Sequence, residues 1–295
     1  MVSLAIRSFW LAFGISAVLA WPSLVLLRKV GVVSLISKYA PEAHQTKKGT
    51  PNMGGIFVIL GAAAAIISVS TPAVLVLIGF AVIGFLDDFV VPRTTSKRGL
   101  GWVPKLVLEL VVVSAYIALA GVGSNSIIAA FFLLFFANAI NFADGLDALA
   151  ATLLIVSVVP FCLFFLATGN LTGIAMSFGI PAALLPFLFL NAPPAKIFMG
   201  DVGALALGAA YGMLFSASPW QSSFWPWVVS FIFIVELILV PIQIASVKTI
   251  GRRVVPATPI HHSFEKIGWP ESKVVWTFAA TQILLSAVAI TVIYS

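Results

Sequence analysis

Residues 71–89 read TPAVLVLIGFAVIGFLDDF. From Pro72 to Leu86 no side chain is charged, and the run then ends abruptly on two adjacent carboxylates, Asp87 and Asp88. A helix crosses the hydrocarbon core of a bilayer in roughly 20 apolar residues, and this segment is one of a series. Comparable apolar runs lie near 5–27, 54–70, 72–90, 104–121, 124–142, 148–168, 171–190, 202–217, 225–249 and 274–294. Several contain Gly or Pro, which is tolerated where neighbouring helices shield the backbone.

Composition points the same way. Of 295 residues, 61% are hydrophobic and 9% charged, with a mean hydropathy of +1.13. A soluble domain carries roughly 25% charged residues, so a soluble globular enzyme and a disordered chain are both excluded. The expected architecture is all-α: a single polytopic membrane domain over 1–295, with about ten transmembrane helices and both termini on one side. The first run carries Arg7 near its start but continues past Trp21 and Pro22 without a small-residue cleavage site, so it is expected to remain as a span. The single cysteine, Cys162, lies in an apolar run and leaves no intramolecular disulfide to form.

The net charge of +6 would suggest nucleic acid as a partner for a soluble protein. Here its distribution gives another reading. Under simple alternation, 15 of the 16 Lys and Arg fall in loops on one side, and Arg7 alone on the other. By the positive-inside rule the basic side is cytoplasmic and both termini face outward, with no nucleic acid implied. The outer loops are short and uncharged, and Trp220, Trp225 and Trp227 beside the last of them fit an interfacial aromatic belt. Chemistry is therefore expected on the cytoplasmic loops 28–53, 91–103, 142–147, 191–201 and 250–273.

The ten acidic residues are not scattered. Asp87 and Asp88 end one run, Asp144 and Asp147 follow another in NAINFADGLDAL, and Asp201 opens a third in FMGDVGALALG, all at the same expected depth. Asp201 could serve as a helix cap. The adjacent Asp87–Asp88 pair is harder to dismiss, because like charges at one depth need a cation, a shared proton or basic partners. Hard oxygen donors with few His and one Cys favour Mg2+ over Zn2+.

Asn138, Asn141 and Asp144 recur every three residues, so a helix aligns them on one face; they either line a polar cavity or bond to neighbouring helices. KKGTPNMGG (47–55) offers lysines as phosphate-binding charges beside a glycine turn. PIHHSFEKIGWPE (259–271) supplies the adjacent His261 and His262, candidates for acid–base work or phosphate contact. Glu109 and Glu236 are acids inside apolar runs and should pair or line a pathway.

In this order, KKGTPNMGG, FLDDF, SKRGL, NAINFADGLDALA, PAKIFMGDVGALALG and PIHHSFEKIGWPE resemble the polyprenyl-phosphate N-acetylhexosamine-1-phosphate transferases. More closely, they resemble the bacterial phospho-N-acetylmuramoyl-pentapeptide transferases. The resemblance runs along essentially the whole chain. It implies ten spans in the bacterial cytoplasmic (inner) membrane. The activity implied is Mg2+-dependent transfer of phospho-MurNAc-pentapeptide from UDP-MurNAc-pentapeptide to undecaprenyl phosphate, with release of UMP. The partners are then these two substrates and membrane lipid, with room for a homodimer.

By motif position, Asp87 would deprotonate the lipid phosphate with Asp88 beside it, Asp201 would bind Mg2+, and His262 joins the catalytic set. Lys47, Gly145, Leu146, Asp147, Asn191 and Phe198 match uridine-contacting positions. Asn52, Asn141, Asp144, Gln243 and His262 match the rest of the cleft, which His261 and Asn138 join as substrate-binding candidates, and Lys105 matches a lysine of the basic loop. The chain departs from the family's pattern where Ser263 replaces a third His and where Asn52 replaces a Thr. Two rival readings share many of these features: a relative transferring GlcNAc-1-phosphate to the same lipid, and a membrane transporter using Glu109, Glu236 and the polar stripe.

Overall fold

The computed structural model describes residues 1–33, 47, 49–121 and 123–295. Lys38 and Lys48 of the first basic loop lie outside the described residues. The described chain is helical: α1 (Val2–Val30), α2 (Gly55–Ile66), α3 (Thr71–Thr94), α4 (Trp102–Ala120), α5 (Ser126–Ala143), α6 (Leu149–Thr168), α7 (Leu171–Asn191), α8 (Gly200–Ser216), α9 (Trp225–Val229), α10 (Phe231–Ile250), α11 (Ile260–Lys266) and α12 (Glu271–Tyr294). Among the described residues eight of these are long and apolar enough to cross a membrane, and the protein is an all-α, multi-pass membrane protein.

The expectation of about ten spans meets two shorter members. α2 has 12 residues and α8 has 17, about 18 and 26 Å at 1.5 Å per residue. Both are short for a physical reason. Every residue of α8 from Val202 to Phe215 is buried, so the helix is solvated by protein rather than lipid. Its small residues permit that: a side chain at Gly208 or Gly212 would collide with the α5 backbone at Phe136 or Phe132. α2 lies against the start of the same helix, where Gly54 and Gly55 donate to the carbonyls of Phe198 (2.8 Å) and Met199 (2.9 Å).

Polar side chains stitch the remaining helices where no water competes. Ser16 of α1 donates to Ala183 O of α7 (2.7 Å), Gln282 of α12 to Val229 O of α9 (2.9 Å), and Ser286 to Val156 O of α6 (3.0 Å). α9 and α10 together occupy the expected run at 225–249. One element of the aromatic belt is corrected. Trp225 is fully buried, its ring 5.0 Å from that of Phe161, because α9 turns it inward onto α6; Trp227 remains partly exposed and donates to Trp220 O. The start of α1, beside Gly169, and the end of α12 share the end of the bundle opposite the carboxylates.

Candidate active site

α3 does not reach its end as a regular α-helix. Leu86–Val90 forms a π-turn, the kind of local widening that recurs at functional sites. It carries both acids of the LDDF stretch and gives them different partners. Asp87 faces the start of α4, accepting from the Leu100 amide and from Lys105 Nζ (3.3 Å). The Asp88 carboxylate accepts the backbone N–H of Asp201 at 2.8 Å, so an acid from α3 caps the N-terminus of α8, where the helix dipole favours negative charge. Such closeness needs Gly84, since any side chain there would strike the Asp201–Val202 backbone.

Asp201 itself is not the cap of its own helix. Its carboxylate is held by Lys105 Nζ and by Asn141 Nδ2 at 2.8 Å. Three aspartates separated by up to 114 positions thus converge around one lysine. Asp144, just beyond α5, stands near them. Its burial, and then the negative charges of Asp201, Asp88 and Asp147, push its carboxyl well above the usual carboxylate range.

Beside this cluster opens a polar cavity of about 300 Å3. Of the residues singled out in the sequence, Lys47, Asn52, Asp88, Asn141, Asp144, Gly145, Leu146, Asp147, Asn191, Phe198 and Asp201 line it. Three loops build the walls and are tied to one another. Phe198 N donates to Pro51 O (2.8 Å), joining the Asn52 loop to the 192–199 loop. Asn191 accepts from Ala148 N and donates to Ile197 O (each 2.9 Å), and Asp147 accepts from Ala195 N (2.9 Å). Lys47 is not a free phosphate-binding charge: its ammonium lies 2.6 Å from both Asp147 and Glu271.

Other candidates are placed elsewhere. Asn138 does not line the cavity; it donates to Glu109 Oε2 (3.0 Å) one helical turn beneath the Asn141–Asp201 bond, so the polar stripe divides between cavity and helix–helix contact. Gln243 is also absent from the lining. It braces the loop after α10, accepting from Val254 N and donating to Val255 O (both 2.8 Å). His261 is fully buried against Glu236 (3.0 Å), whose other oxygen accepts from Ile260 N. His262 pairs with Glu265 (2.7 Å), and a methyl group on Gly145 would meet the Nε2 atoms of both His261 and His262, the latter at 3.2 Å, which places both rings next to a lining residue. Ser263, in place of the third His, accepts from Ala257 N (3.0 Å) and donates to Ala257 O (2.6 Å), a structural use of that position.

The pairings thus give Glu109 and Glu236 local partners, and they bring in Glu271, which sequence reasoning missed. Its only signal was its place at the end of the PIHHSFEKIGWPE block.

Among the described residues no three His, Cys, Asp or Glu side chains form a ready-made metal cage, and Lys105 Nζ occupies the point between Asp87 and Asp201. Mg2+ nevertheless asks for little from protein, commonly one or two carboxylates completed by waters and phosphate oxygens. Asp88 and Asp201, both at the cavity wall, fit such an open site.

The glycosyl transferase family 4 model matches residues 70–218, the segment that carries Asp87, Asp88, Lys105, Asp144 and Asp201. Beyond it, the chain is 34% identical over 319 residues to a phospho-N-acetylmuramoyl-pentapeptide-transferase of Desulforamulus reducens, covering 95% of this chain and 94% of that protein. The chain belongs to this transferase family. Members from Shouchella clausii (33% identity, 91% of each chain) and Halalkalibacterium halodurans (34%, covering 95% of this chain and 94% of that one) agree. As a phospho-N-acetylmuramoyl-pentapeptide-transferase family member the chain is an enzyme. At 95% coverage of this chain, the first and third of these relatives match beyond the family model through the His261–His262 block and Glu271.

Proposed function

We propose that the chain transfers phospho-MurNAc-pentapeptide from UDP-MurNAc-pentapeptide to undecaprenyl phosphate with Mg2+, yielding lipid I and UMP for peptidoglycan synthesis. We place the reaction at the cytoplasmic face of the bacterial inner membrane. The observation that supports this most is the division of labour at the π-turn. Asp88 looks into the polar cavity, whereas Asp87 looks towards Lys105 and the 97–105 segment. In that segment Lys97 and Arg98 are exposed, next to the exposed apolar Trp102 and Val103. A nucleotide diphosphate entering from water suits the first direction. A phosphate fixed at headgroup level suits the second, and its lipid tail confines it there.

In this reading the two phosphates meet between the carboxylates. Asp87 takes the proton of the lipid phosphate, and Lys105 offsets the repulsion between the approaching anions. Asn141 and Lys105 keep Asp201 oriented, while the Asp88 cap fixes the start of α8. Bound Mg2+, held by Asp201 and Asp88, would neutralise charge developing on the departing UMP. The Asn52 and 145–147 walls hold the donor, and His262 acts from beside Gly145.

Purified protein given UDP-MurNAc-pentapeptide, undecaprenyl phosphate and Mg2+ should release UMP and form lipid I, and chelation should stop it. Transfer from UDP-GlcNAc instead would move the substrate assignment to the neighbouring class. No UMP from either donor would remove the transferase chemistry proposed here. The local pairing of Glu109 with Asn138 and of Glu236 with His261 argues against a proton relay across the bilayer.

Orientation has its own test, in a Cys162→Ser background. A cysteine at exposed Ser222 should react with an impermeant thiol reagent from outside the cell, and one at exposed Ser96 should not. The opposite pattern would invert the topology.

A further inference from the structure

Lys47, Asp147 and Glu271 form a second ion-pair cluster that shares no salt bridge with the Asp87–Lys105–Asp201 group, and its Lys47 and Asp147 line the cavity. We infer that Glu271 is a positioning residue for donor binding: with Asp147 it holds Lys47 as an aimed, charge-compensated donor for an uncharged group of the nucleotide. This rests on the nucleotide reading of the cavity given above.

An ammonium has three N–H donors. Two of those on Lys47 are spent, at 2.6 Å each, on Asp147 Oδ1 and Glu271 Oε1. Lys47 is also a lining residue, so its remaining donor is the one available to a ligand. Neither carboxylate is free to swing away. Asp147 is buried and its second oxygen accepts from Ala195 N (2.9 Å), while Glu271 Oε1 also accepts from Asp147 N (2.7 Å). Glu271 stands in the first turn of α12 behind Pro270, where the helix dipole favours an acid.

Charge decides what this donor can meet. One cation between two anions leaves the cluster with a formal charge of −1. A diphosphate would be repelled there; an uncharged oxygen of the base or sugar would not. Glu271 therefore converts Lys47 from a mobile phosphate-binding charge into a fixed hydrogen-bond donor. The same carboxylate pins the 145–147 backbone that walls the cavity.

The test uses the full-length protein purified in detergent, with UMP and uridine as probes, measured by calorimetry on the parent, Glu271→Gln, Lys47→Met and the double variant. Gln keeps an acceptor for the Asp147 N–H and removes the charge. Glu271→Gln should weaken UMP and uridine by the same factor, about tenfold, the scale of one charge-assisted hydrogen bond. The double variant should bind no more weakly than Lys47→Met, because Glu271 acts through Lys47. In turnover, KM for the donor should rise while kcat stays within about twofold.

Tighter UMP binding by Glu271→Gln with uridine unchanged would overturn the inference, since Lys47 would then be meeting phosphate. Additive losses in the double variant, or parent-like affinity in Glu271→Gln, would overturn it as well. Should Glu271→Gln fail to fold, Lys47→Met decides alone: equal losses for UMP and uridine support the inference, and a loss confined to UMP overturns it. A parent protein that does not bind UMP would remove the nucleotide reading itself, a result distinct from any of these.

Discussion

Two lysines stand at this end of the bundle, and each is gripped by two carboxylates. Lys105 lies between Asp87 and Asp201; Lys47 lies between Asp147 and Glu271. The difference is in what surrounds them. Around Lys47 both acids are also satisfied by backbone N–H groups, so the cluster is closed. Around Lys105 two further acids, Asp88 and Asp144, lack a cation in contact among the described residues. Asp87 and Asp201 hold the ammonium, and Asp88 and Asp144 add their negative charge beside them. Such a group is electrostatically unfinished, and a divalent cation or a shared proton relieves it. In the proposed function, the comparison separates a cluster that would hold the donor from one that would take part in the reaction.

The largest expected effect falls on the unfinished cluster. Asp201→Asn or Asp87→Asn should lower kcat by roughly a hundredfold or more, the scale of losing a principal catalytic contact, while UMP affinity measured by calorimetry stays near that of the parent. Near-normal turnover in both variants would erase the distinction between the clusters. An intermediate effect belongs to the closed cluster. Lys47→Met should raise KM for the donor about tenfold, the scale of one charge-assisted hydrogen bond, with a smaller change in kcat. If kcat falls as far as in Asp201→Asn, the two clusters are not functionally separate.

The smallest effect should come from Gln243, which touches neither lysine and serves the 254–255 backbone. Gln243→Ala should speed amide exchange at Val254 and Val255, corresponding to about 1–2 kcal/mol of lost local protection, and alter donor KM less than Lys47→Met does. A larger KM effect than that of Lys47→Met would bring this loop into donor binding.

The folded state also revises how single motifs are read. The stripe at 138, 141 and 144 has the periodicity of one helical face, yet its members serve different ends: Asn138 joins two helices, Asn141 orients Asp201, and Asp144 lines the cavity. The two histidines are adjacent in sequence and both ring Nε2 atoms come close to Gly145, but His261 is sealed against Glu236 while His262 is partly exposed and pairs with Glu265. Periodicity reports direction around a helix axis and leaves open what stands opposite.

From the sequence alone followed the membrane class, the all-α architecture and the position of most of the apolar helices, although the runs at 54–70 and 202–217 form helices of only 12 and 17 residues. Hydropathy adds along the chain, so run length and run ends reveal where a helix starts, stops and changes surroundings. Only the tertiary structure decided which acids share a lysine, that Asp88 caps the helix of Asp201, and that Glu271 reaches Lys47 from 224 residues away. Those contacts depend on how helices rotate and approach one another. Gly84, Gly208 and Gly212 permit those approaches, and their role becomes visible only once the opposing backbone is in place.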